Sequence, residues 1–255
     1  MMINLKTNKM SDIENGGLVY EENTSKNVYV EIKPDGLLVR RINGELADVI
    51  LQKHNNNQPI DKGYRVRKLE MGENQGKEIV EQIFNKLPRV QLKKAYEEEK
   101  FNQRRMVLIF NDMVDGPDVH ITCPLITENG GINSFANNFI DKIPNFELGS
   151  VLNFRPWKNE DEKNNKIRKG IVIEQNGSNL KTAYWDYDKN EPIGNKPRAK
   201  EVKKLGKDAW EWEEVSEFQL QVFNDFSVKL DEYWGNEKPL ATTKTKEVQV
   251  ADMPF

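Results

Sequence analysis

Hydrophobic positions along the chain recur with two different periods, and the switches between them mark out its elements. Residues 1 to about 26 are polar, rich in Asn, Glu and Gly, and predict a mobile arm. "NVYVEI" and "GLLVRRI" then read as strands, joined by the "PDG" turn at 34–36. "HNNNQPIDKG" reads as a loop and "YRVRKLE" as a further strand. In "KEIVEQIFNKL", Ile79, Ile83 and Leu87 fall four apart with Val80 and Phe84 alongside, which predicts a helix ended by Pro88. From Arg89 the period shortens. "RVQLKKAYEEEKFNQRRMVLIFND" predicts two strands around a polar hairpin near residues 98–103. "DVHITCPL" is a third, with Val119, Ile121 and Cys123 on one face and Asp118, His120 and Thr122 on the other.

"GINSFANNFIDKI" spaces Ile132, Phe135, Phe139 and Ile143 as a short helix. "SVLNFRPW" and "IRKGIVIE" are strands four and five of this region, and "LKTAYWDY" is expected to pair back across the "QNGSN" turn. After a polar stretch at about 186–207, Val215, Phe218, Val222, Phe226, Leu230 and Tyr233 recur at helical spacing. That long acidic helix is expected to pack on the preceding strands with a solvated outer face. The last twenty residues carry no apolar stripe and read as a flexible linker with a tip.

The order strand, strand, strand, helix, strand, strand is that of an OB barrel, although other small α+β domains share it. The expected architecture is mainly β with helices, a five-stranded OB barrel at about 89–186. A β/α extension at 27–88 precedes it and a helix at about 208–234 follows, in one domain spanning 27–235. The tail is 236–255.

Composition narrows the chemistry. The net charge is -3 in 255 residues, so any nucleic-acid surface must be a local patch. Mean hydropathy is -0.77, yet eleven Phe, seven Tyr and five Trp supply a core. Cys123 is the single cysteine, which excludes an internal disulfide; with only His54 and His120, a Cys/His zinc site is excluded too. The start has no leader-like apolar run and no stretch approaches a membrane span, so a cytoplasmic protein is expected.

The most informative stretch is "VLNFRPWK". As a strand it sends Leu152 and Phe154 to one side and Asn153, Arg155 and Trp157 to the other. A guanidinium beside an indole offers charge to a phosphate and a flat face to a base, which is what single-stranded nucleic acid requires. The alternative is an indole capping the barrel and an arginine in a surface ion pair. Further cations fall on the neighbouring strands: Lys93 and Lys94, Arg104 and Arg105, Lys158, Arg168 and Lys169, with Trp185 among the interleaved aromatics. No phosphate-binding GxxxxGK[ST] loop or GxSxG elbow is present. Asp112, Asp115 and Asp118 in "NDMVDGPD" could hold magnesium, but Gly116 and Pro117 among them favour a turn.

The closing "ADMPF" resembles the tip of bacterial and phage single-stranded DNA-binding proteins, whose tails end in an acidic segment followed by Pro-Phe. "VHITCPLITENGGINSFANNFIDKI" and "LNFRPW" look like phage-type proteins of that class with an OB fold. The resemblance covers about 89–186 as a pattern, and five residues at the tip. It implies a non-catalytic, phage-encoded protein that coats single-stranded DNA in the host cytoplasm during replication, recombination or repair, without a cofactor. Asp252, Met253, Pro254 and Phe255 would recruit replication, repair or recombination proteins. The tail departs from the pattern: Asp252 is its lone acid near the tip, and Lys244 and Lys246 make the linker locally basic. Competition between tip and DNA for a basic groove is therefore less expected than partner binding. The alternatives are a protein-interaction or virion structural module, and a metal-dependent nuclease using the three aspartates.

Overall fold

The structure is a computed structural model that describes residues 27–70, 72–100, 102–112, 117–161, 166–186, 189, 191–204 and 207–236. The expected arm at 1–26, Asp115, and the tip residues Asp252, Met253, Pro254 and Phe255 lie outside the described residues.

The first strands follow the period-two pattern. In β1 (Asn27–Ile32), Val28, Val30 and Ile32 are buried, while Tyr29 between them is exposed. β2 (Leu38–Ile42) pairs back on β1 through the turn at Gly36. Helix α1 (Glu45–Asn55), to which the sequence reading assigned no element, follows and buries Ala47 and Ile50. β3 (Tyr64–Lys68) and β4 (Glu78–Phe84) complete this half.

β4 corrects the expected helix. Its residues run almost continuously buried because both faces are covered: Val80 packs with Ala47 and Ile50 of α1 on one side, while Ile79 and Glu81 are buried on the other. A strand covered in this way loses the alternation that would distinguish it, and a short apolar run then mimics a helical stripe. Pro88 ends nothing. It lies exposed near the start of β5 (Leu87–Lys100), where the register with a later strand shifts and Arg89 takes a φ of 53°.

β5 pairs with β6 (Gln103–Asp112), and β6 with β7 (Asp118–Pro124). Helix α2 (Ser134–Ile140) is capped by the Asn133 side chain, which accepts from the Phe135 N–H. β8 (Leu152–Asp161), β9 (Lys166–Gln175) and the short β10 (Ser178–Asn179) follow; the last hairpin turns at Asn176 and Gly177, both with positive φ. "LKTAYWDY" only partly follows expectation: Trp185–Asp186 (β11) pairs with Glu191–Pro192 (β12) rather than with β9. β13 (Lys200–Lys204) and β14 (Lys207–Glu211) form a second hairpin, and α3 (Glu213–Asn236) closes the described chain.

The closed five-stranded barrel is not formed. Ten strands make one mixed sheet in the order β10-β9-β8-β5-β6-β7-β1-β2-β4-β3, with β1 and β7 parallel and every other pair antiparallel. Closure would need the free edges of β7 and β9 to meet. The N-terminal segment instead lays β1 along β7. The far edge of β9 is satisfied by Asn138 of α2, whose Oδ1 accepts from the Ile171 N–H at 2.8 Å, and by Leu180, whose N–H donates to the Ile173 carbonyl at 2.7 Å. β1 on β7, and these contacts on β9, take up backbone groups that closure would use.

The main core fills the sheet face that carries Leu92, Ala95, Leu108, Phe110, Ile121 and Phe154, under α2 and the apolar stripe of α3. Two side chains of α3 also tie it to β5: Trp234 Nε1 donates to the Leu92 carbonyl at 3.0 Å and Ser227 Oγ to that of Ala95. Among the described residues no helix is long and apolar enough to cross a membrane.

Candidate nucleic-acid interface

The β8–β9 hairpin builds its surface by simple alternation. Leu152, Phe154 and Pro156 are buried, whereas Arg155 is exposed and Trp157 half-buried. Cross-strand register places Val172 opposite Arg155, Gly170 opposite Trp157 and Arg168 opposite Asn159. Directly opposed residues share a face, so Arg155 and Arg168 flank the indole on one surface. Neither guanidinium has an ion-pair partner among the described residues. Glu174, further along that face, accepts from Asn153 Nδ2 at 3.1 Å.

Pro156 can stand within this strand because β5 pairs with β8 no further than Phe154. The Ile171 N–H points away from β8 to Asn138, so the nitrogen of its register partner Pro156 faces the other, unpaired edge. The turn at Gly36 abuts the hairpin here: a Cβ on Gly36 would lie 2.7 Å from the Trp157 carbonyl carbon and 2.8 Å from the Lys158 nitrogen.

Trp157 is held from beneath. A Cβ on Gly170 would meet Trp157 Cε2 at 3.1 Å and the Asn138 amide at 3.0 Å, so indole and amide converge over a bare backbone. Asn138 Oδ1 also accepts from Lys142 Nζ at 2.7 Å. Burial pushes the Lys142 ammonium from 10.5 down to about 8, with the Asp141 carboxylate acting against the shift. The folded value lies below the unfolded one, so between about pH 8 and 10.5 the unfolded chain holds a proton that the folded chain has lost. Stability therefore rises with pH across that window. Lys142→Met should flatten this rise in urea unfolding curves taken between pH 8 and 10.5; the same slope in both proteins would place Lys142 in solvent.

The other expected site residues do not join this surface. Lys158 and Lys169 are register partners on the opposite face, and Lys158 pairs with Glu160. Lys93 is the extra residue of a bulge in β5 and sits over the Trp234 ring, 3.1 Å from its centroid. Lys94 projects to the other side, 5.8 Å from the centre of Tyr96. Arg104 is engaged by Glu97, and Arg105 by Glu31 at 2.9 Å and Thr122 Oγ1 at 2.8 Å. Trp185 is exposed on β11, outside the ten-stranded sheet. Asp118 is exposed at the start of β7, and among the described residues no cluster of His, Cys, Asp and Glu is placed to hold a metal ion.

A second concave surface was not foreseen. On the sheet face opposite the main core, β5, β6, β7, β1, β2, β4 and β3 curl around a cleft of about 370 Å³. Tyr29, Tyr96 and His120 line it with Arg41, Arg67 and Arg105. Glu81 lies at its base. Burial disfavours its charge, but Arg65 and Arg67, at 2.7 and 2.9 Å, outweigh burial and hold the carboxyl below its ordinary range. Burial also lowers the His120 imidazole, against the charges of Asp118 and Glu98. The available signal was the alternation of Tyr29 with Val28 and Val30, which marks it as the outward residue of β1. No family model, curated protein or solved structure matches this chain.

Proposed function

We propose that the protein binds single-stranded DNA without catalysing a reaction on it, coating exposed strands in replication or recombination. The observation that carries this reading is the Arg155–Trp157–Arg168 surface of the β8–β9 hairpin: a half-buried indole between two exposed guanidiniums that no carboxylate neutralises among the described residues. Such a surface offers stacking that tolerates any base and charge that any phosphate satisfies. The local excess of cations reconciles binding to a polyanion with a net charge of -3.

The test is a titration of fluorescent oligo-dT and of its duplex at two salt concentrations, with and without magnesium. The expected result is salt-dependent binding, stronger for the single strand, with the DNA left intact. Arg155→Ala and Arg168→Ala should each lower the slope of log affinity against log salt by about 0.7, the value for one lost phosphate contact on a single strand. Binding that ignores salt, or DNA cut in the presence of magnesium, would reject the reading.

A further inference from the structure

The cleft formed by the N-terminal strands carries chemistry that the β8–β9 surface lacks. Tyr29 is 64% exposed in the middle of the sheet. One side of its ring rests against His120, with centroids 4.9 Å apart at 44°, which leaves the other open to a planar partner. Arg41 is exposed and has no ion-pair partner among the described residues, because Glu81, opposite it in register, is taken by Arg65 and Arg67. Arg105 adds a buried Nε with no acceptor, its Nη2 being committed to Glu31 and Thr122. Glu98 lines the same cleft, opposite Arg105 in the β5–β6 register, without an ion-pair partner among the described residues.

A free carboxylate is out of place in a site for phosphates alone, since it repels them. It fits a site in which a base presents N–H groups to it, as the exocyclic amine of cytosine does. Thymine would turn a carbonyl oxygen toward the same carboxylate. We propose that this cleft takes one nucleobase of the bound strand, stacked on Tyr29, with an exocyclic amine donated to Glu98 and the adjoining phosphate on Arg41. The inference rests on the single-stranded DNA reading above and adds a base preference to it. It also gives the strands before residue 85 a part in binding: they contribute Tyr29 and Arg41, while β5 contributes Glu98.

The test compares oligo-dC with oligo-dT of equal length at matched salt, using the full chain and its Tyr29→Ala and Glu98→Gln variants. The unaltered protein should favour oligo-dC by about tenfold, within the usual range for one good base contact. Tyr29→Ala should weaken both ligands by about tenfold through lost stacking. Glu98→Gln should bring the ratio close to one, because an amide can donate to the thymine carbonyl as well as accept from the cytosine amine. Equal affinity for the two oligonucleotides in the unaltered protein overturns the inference while leaving the Trp157 surface in place. So does an unchanged ratio in Glu98→Gln. Absence of binding to either oligonucleotide overturns the general reading as well. Should Tyr29→Ala fail to fold, the Glu98→Gln ratio alone decides.

Discussion

Gly36→Ala should destabilise the fold by about 2–5 kcal/mol, more than a glycine-to-alanine change in an ordinary turn. Two costs add. With φ at 81°, an added Cβ incurs the left-handed penalty of about 1–2 kcal/mol. That Cβ would also fall under 3 Å from the backbone of Trp157 and Lys158, and backbone cannot yield as the end of a flexible side chain does. Forced overpacking of this kind costs about 1–3 kcal/mol. Gly177→Ala is the matched control, since its φ is 76° and nothing lies within 4 Å of the new atom. It should show the conformational cost alone. Urea unfolding of the two variants measures the difference; equal losses would mean that the turn does not press on β8. If it does press, Gly36→Ala should also disturb oligonucleotide binding, because the strand displaced is the one that carries Trp157.

Trp157→Ala should weaken binding to oligo-dT by about 1–3 kcal/mol, roughly 5- to 150-fold, while the chain stays folded. The indole is half-buried and rests over Gly170 beside Asn138, so its removal uncovers a glycine rather than opening a cavity in the main core. Trp157→Phe should recover part of the affinity, since a smaller ring still stacks. Fluorescence anisotropy reads the binding and a thermal melt the fold. A folded Trp157→Ala protein with full affinity would return the indole to a packing role. A variant that unfolds would do so too, and the exposed Arg155 and Arg168 would then be the residues left to test.

Several features were legible from residue pattern alone because the physics that sets them is local. The alternation in "DVHITCPL" and "VLNFRPW" separated the residues of the two faces correctly, since side chains on a strand change face at every step wherever one face is buried. Val119, Ile121 and Cys123 are buried as that rule requires, and Arg155 and Trp157 share the outward face. The Asn-Gly turn at 176–177 and the apolar stripe of α3 likewise follow from backbone preference and helical period.

What the sequence could not determine is which edge meets which. Strand order within 89–186 suits a closed barrel, and only the tertiary structure shows β1 occupying the edge of β7 that closure would use. Pairing between strands so distant along the chain depends on competition for backbone hydrogen bonds, which leaves no mark on either strand's own pattern. The tertiary fold likewise hid β4: buried on both faces, it lost its alternation and read as a helix. The fold also decided the candidate sites. Arg104, Arg105 and Lys158 are as basic in sequence as Arg155 and Arg168, but folding brings Glu97, Glu31 and Glu160 to the first three. A cation is available to a phosphate only where the fold leaves it unpaired, and that is a property of three-dimensional neighbours rather than of residue type.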